Sequence, residues 1–214
     1  MRNASEFDLD AIGQRILADG RLTPAERQAG FSVLASDADE QGAAAAVWLV
    51  QDGSSDRAEY VLQFERLDSW HYLGWTGGSA RGLSLNGRPS AASAPSRALV
   101  LLTGGSSRSR IDRATRQAST LDAWEATASW VSCAGFRLAA EAVTLQAGER
   151  LISVPDHGYV IAAWRSPGTR TRPPIAALRA DGSALSELGS DEHLDSLSWQ
   201  SVLATLDEEQ PPGS

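Results

Sequence analysis

His157 has the setting that most invites a chemical reading. It stands in Pro155-Asp156-His157-Gly158-Tyr159, with a carboxylate before it and an aromatic ring two places on. An imidazole that titrates near neutrality and is oriented by a carboxylate is the usual equipment of a general base, so one expectation is a small hydrolase using His157 with Asp156. The same residues are also good turn chemistry. Asp bonds nearby backbone, Gly accepts positive φ, and neighbours in a turn seldom aim their side chains at each other. The turn reading carries more weight.

Two further groups have the chemistry of recognition. Arg108, Arg110, Arg113 and Arg116 crowd a polar stretch at 104–120, and Arg170 and Arg172 lie on a later loop. Arginine grips phosphate or carboxylate through two parallel hydrogen bonds, which makes this run a candidate anion or nucleic-acid site. No aromatic is interleaved with it, and a net charge of -8 with a pI near 4.9 argues against a general nucleic-acid or anionic-membrane surface. The second group is Trp70-His71-Tyr72 with Trp75. Aromatics on a β surface stack sugars, bases or a peptide's prolines, although tryptophan is highly buried on average and most of the seven here are expected in the core.

Other chemistries fail on spacing or on missing residues. Gly77-Gly78-Ser79-Ala80-Arg81 and Gly104-Gly105-Ser106-Ser107-Arg108 both lack the final glycine of a nucleophile elbow. The chain has no lysine, which removes a Walker-type phosphate loop, a Schiff base and a lysine base together. His71, His157 and His193 lie far apart, and Asp191, Glu192, His193 and Asp195 read as a solvated turn, so no metal and no cofactor is expected. Cys133 is alone, which excludes an internal disulfide and suits a small core residue. The first residues lack a basic region followed by an apolar run, and the longest apolar stretch, Ala43 to Val50, falls far short of the ~20 residues that cross a bilayer. A cytoplasmic protein is expected. The arginine-for-lysine bias, with abundant Ala and Gly, is what a high-GC bacterial coding sequence gives.

These groups need elements to position them. Leu9, Ile12, Ile16 and Leu17 recur at helical spacing before Gly20, and Thr23-Pro24-Ala25-Glu26 has the hydroxyl, proline and carboxylate of a capped helix start. With Phe31, Leu34, Ala35 and Ala38 as a second apolar face, the pattern predicts a helical hairpin over 6–38, within an N-terminal unit at 1–40. From Ala44 the period changes to that of strands. Val47 to Val50 and Tyr60 to Phe64 flank a glycine turn, and 68–73 offers a third strand. Residues 74–97 read as a long loop and Ala98 to Thr103 as a buried strand.

Beyond a possible boundary near 104–120, strand-like runs follow at Trp124–Val131, Phe136–Leu145, Glu149–Val154, Gly158–Trp164 and Ile175–Leu188. A short helix and an acidic, fraying tail are expected over 191–214. The fold expected is therefore α+β and β-rich: an antiparallel sandwich or partly open barrel over 44–190, with a helical hairpin before it and a short helix after it. The leading functional expectation is a non-catalytic binding or regulatory module that meets a protein or small-molecule partner through its loops.

Overall fold

The structure, a computed structural model, describes residues 7–53, 57–80, 83, 87–93, 98–110, 129–166 and 172–188. Two short helices, α1 (Leu9–Asp19) and α2 (Pro24–Gln28), precede eleven strands among these residues. The strands are β1 (Phe31–Asp39), β2 (Ala44–Asp52), β3 (Arg57–Arg66), β4 (Trp70–Ser79), β5 (Leu99–Arg108), β6 (Trp130–Leu138), β7 (Thr144–Ala147), β8 (Arg150–Ser153), β9 (Tyr159–Ser166), β10 (Ile175–Leu178) and β11 (Ala184–Leu188). They form three antiparallel sheets in the orders β1-β2-β3-β4, β5-β6-β9 and β11-β10-β7-β8.

The helix signals hold as far as Gln28. Asp8 caps α1 by accepting from the Ala11 N–H at 3.2 Å, and Gly20 closes the helix at φ 70°. Thr23 and Glu26 form a reciprocal capping box around Pro24. The predicted hairpin then fails. Residues 31–38 are not a helical face but most of β1. Their i, i+3, i+4 spacing is a β-bulge in disguise: the pairing with β2 slips between Val33 and Ala35, and the extra residue resets the alternation by one. Gly30 makes the switch from helix to strand, at φ 88°, where a Cβ would press on the Asp52 carbonyl oxygen at 2.5 Å.

Alternation along the strands sorts the apolar residues into three stacked cores. On the outer face of the first sheet, Ala45, Val47, Leu49, Tyr60, Leu62 and Phe64 pack beneath Ile12, Ile16 and Leu22 of the helical segment. Helix α1 comes closest at Gly13, where any Cβ would collide with Phe64. The opposite residues of β2, namely Ala46, Trp48 and Val50, meet Tyr159, Ile161 and Ala163 of β9 in a middle core. The other face of β9, Val160, Ala162 and Trp164, packs with Phe136, Leu145, Ile175 and Ala177 between the second and third sheets. The layers therefore run helix, sheet, sheet, sheet. Strands β2 and β9 are buried on both faces, which is why Ala44–Val50 and Tyr159–Trp164 read as unbroken apolar runs.

Two other expectations change. Residues 74–79 belong to β4 rather than to a loop, and 104–108, read as part of a polar stretch, continue β5. Two of the glycines that suggested loops, Gly77 and Gly105, are sites of close approach. A Cβ at Gly77 would collide with the Glu59 carbonyl oxygen, and one at Gly105 would meet Gln63 and Thr76. The Asp156–His157 and Asp181–Gly182 turns form as read, with Gly158 and Gly182 at φ 78° and 80°. The helix expected after residue 191 lies outside the described residues. Among the described residues, no helix is long and apolar enough to cross a membrane.

Candidate functional site

The side chains of β3 alternate between apolar and polar, and the polar ones do not face water. Tyr60, Leu62 and Phe64 point to the helical layer, while Gln63 and Glu65 point between the first two sheets and are fully buried. Across that layer the end of β5 supplies their partners. The Ser107 hydroxyl donates to Gln63 Oε1, and the Gln63 amide donates to Cys133 Sγ at 3.3 Å. The Glu65 carboxylate accepts from Ser109 Oγ at 2.6 Å and from the Arg110 backbone N–H at 2.7 Å, with Arg165 Nη2 at 3.5 Å. Arg165 in turn donates to the Gly42 and Ala43 carbonyls and to the Ser109 and Ser129 hydroxyls. A carboxylate with 0% exposure is tolerable only because these donors replace its water. Burial pushes the Cys133 thiol up to about 11, so Cys133 is the inert core residue expected.

This buried network fixes the start of the arginine segment. Arg108 is 7% exposed, at the end of β5, and Arg110 emerges to the surface with its backbone N–H held on Glu65. The Arg110 guanidinium then reaches β4, where Nη2 donates to the Tyr72 carbonyl at 2.6 Å. Arg113 and Arg116 lie outside the described residues, as do Arg170 and His193.

The aromatic group lies where Arg110 arrives. Trp70, Tyr72 and Trp75 pair across the ladder with Arg66, Phe64 and Leu62, so all three share the outer face of the sheet. An odd separation from 72 to 75 should put two strand residues on opposite faces. The bulge between Gln63 and Phe64 brings them back to one. Tyr72 packs on Phe64 with ring centroids 5.6 Å apart, and Trp70 carries the Arg66 guanidinium 5.5 Å above its ring. Arg66 is also ion-paired with Glu40. Trp75 differs from the others: it is 51% exposed, yet held edge-on to Tyr60 at 5.5 Å. Burial raises the Tyr72 hydroxyl above its ordinary value, and the nearby carboxylates of Asp10 and Asp8 add to that. The structure thus brings together two groups that the sequence separates by 38 residues.

His157 sits in a half-buried turn with its ring 5.8 Å from that of Tyr159. Its Nδ1 accepts the Tyr159 backbone N–H at 3.1 Å. The lone pair that a base would use is therefore engaged by the backbone, and Asp156 is exposed beside it. Burial lowers the imidazole below its ordinary value, opposed by the charge of Asp156 and reinforced by that of Arg88. A second histidine, His71, has Asp68 Oδ1 at 2.6 Å and Ser69 Oγ at 3.4 Å, but both lie on the same nitrogen, Nε2. A serine-histidine-carboxylate relay needs the two partners on opposite nitrogens, so this is a turn and not a triad. Among the described residues, no three metal-ligating side chains converge.

Sequence reading missed the buried partners Gln63, Glu65, Ser107, Ser109 and Arg165. The alternation Leu62-Gln63-Phe64-Glu65 did mark Gln63 and Glu65 as sharing one face, which a two-layer sandwich would leave in water. Comparison with protein families, with curated proteins and with solved structures finds no match.

Proposed function

We propose that the protein is a non-catalytic binding module whose recognition surface is the outer edge of β4, built from Trp70, Tyr72 and Trp75 and framed by Arg66 and Arg110. The observation that carries this reading is the hydrogen bond from Arg110 to the Tyr72 carbonyl, which seats the arginine segment against the aromatic strand. A ring or proline would stack on Trp75, the exposed member, while a carboxylate or phosphate pairs with Arg110. The buried polar groups serve the scaffold, because their hydrogen bonds are spent on one another.

The test is a titration followed through the indole N–H resonances, with proline-rich peptides carrying carboxylates, acidic oligosaccharides and mononucleotides as probes. A probe of this class is expected to shift the Trp75 signal. Trp75→Ala is expected to abolish binding while changing stability by no more than about 0.5 kcal/mol, as is usual for an exposed side chain. Binding that survives both Trp75→Ala and Arg110→Ala would move the recognition surface elsewhere, and turnover of any probe would end the non-catalytic reading.

A further inference from the structure

Strand β3 carries a further polar side chain on the face that holds Gln63 and Glu65. Glu59 lies two residues before Val61, so it points between the first two sheets, with Val50 and Gly78 beside it in the ladder. The next row on that face is Trp48, Val61 and Thr76. Trp48 is 0% exposed, and its Nε1 makes no hydrogen bond with any group among the described residues. The same holds for Glu59 Oε1 and Thr76 Oγ1, two buried atoms of residues that are otherwise partly exposed. Burial raises the Glu59 carboxyl above its ordinary value, and the Thr103 hydroxyl and the Trp48 indole draw it back. The indole is thus near enough to favour a charged carboxylate, but it is not aligned to bond it.

Buried polar atoms are costly to leave unpaired, and a near but misaligned donor and acceptor are what a bridging molecule joins. We propose that Trp48, Glu59 and Thr76 form a binding site for one structural water, which accepts from the indole N–H and donates to the carboxylate and to the Thr76 hydroxyl.

The chemistry of the three groups selects this ligand. An indole N–H can only donate, so a cation, which cannot accept, would leave Trp48 unpaired. An anion would face the Glu59 carboxylate. The occupant must be neutral, accept once and donate twice. That is the capacity of water, and buried waters make about three such bonds. Space selects it as well. The second sheet closes on the layer with glycines. A Cβ at Gly135 would come within 2.6 Å of Thr103 Cγ2 and 2.8 Å of Trp48 Cζ3, and one at Gly105 within 3.0 Å of Thr76 Oγ1. A larger guest would have to part the two sheets. The way in lies at β4, where Gly78 is exposed and a Cβ would meet nothing within 4 Å.

A high-resolution crystal structure of the whole chain tests the assignment. An ordered water is expected at about 2.7–3.2 Å from Trp48 Nε1, Glu59 Oε1 and Thr76 Oγ1 together. The double variant Glu59→Leu with Thr76→Val removes two of the three partners and is expected to lose that water. In solution, oxygen-17 relaxation dispersion is expected to count one long-lived water fewer in the double variant than in the wild type. A direct hydrogen bond between any two of the three groups overturns the proposal, as does an empty site or an ordered molecule other than water. An unchanged water in the double variant also overturns it. The wild-type density alone decides the matter if that variant does not fold.

Discussion

The middle layer has two unlike halves. Between β2 and β9 it is apolar, with Leu34, Trp48, Val50, Tyr159, Ile161 and Ala163 in contact. Between β3 and the end of β5 it is polar, filled by Gln63, Glu65, Ser107 and Ser109 with Arg165 reaching in from β9. Apolar attraction has no direction, so the first half brings two sheets together without dictating their alignment. Hydrogen bonds are directional and costly to leave unmade, so the second half admits one alignment. That half lies under Arg110, where alignment decides whether the arginine segment meets the aromatic strand.

Substitutions that exchange the character of the two halves separate these roles. The largest effect is expected for Glu65→Leu, which removes the counter-charge of Arg165 and the acceptor of the Ser109 hydroxyl and the Arg110 N–H. Breaking one member of a buried ion pair costs about 3–5 kcal/mol, read as a lower denaturation midpoint in urea. Glu65→Leu with Arg165→Met should recover much of that stability, because an apolar pair of similar volume substitutes well for a buried charge pair. It should not recover probe binding at Trp75 and Arg110, because the anchor of the Arg110 backbone stays lost. Gln63→Leu is expected to cost about 1–3 kcal/mol by leaving Ser107 without its acceptor. In the apolar half, Ile161→Val is expected to cost only about 0.5–1.5 kcal/mol and to leave the Arg110–Tyr72 contact intact. If Ile161→Val disturbed the arginine segment as much as Gln63→Leu does, the division of labour would not stand.

The same contrast explains what the sequence could reveal. Strands β2 and β9 announced themselves because burial on both faces leaves no polar residue to confuse the pattern. The caps at Gly20 and Thr23 are local chemistry and were legible for that reason. The misreadings come from tertiary features with no local trace. A bulge in β1 imitated a helix, and close approach by the neighbouring strand required Gly77 in a stretch of β4 that looked like a loop. The polar face of β3 was visible as a face, but nothing within β3 says that another sheet covers it. Of the candidate site, Trp70, Trp75 and Arg110 were named from their chemistry. Their meeting depends on pairing between β3 and β4 and on Glu65 in the layer below, and neither is written near Arg110.

The contact at the opposite margin of the middle layer has a consequence for how the molecule behaves among its copies. Strand β9 ends the β5-β6-β9 sheet, and at Ala163 its outward backbone is fully occupied by side chains. The N–H is bound by Asp37 Oδ2 at 2.8 Å, and the carbonyl by the Arg150 guanidinium, which also pairs with Asp37. An incoming strand would have to displace a carboxylate and a guanidinium together, taking from Asp37 its backbone donor and from Arg150 its backbone acceptor. Charge thus makes a strand rich in Val, Ile and Ala a poor template for aggregation.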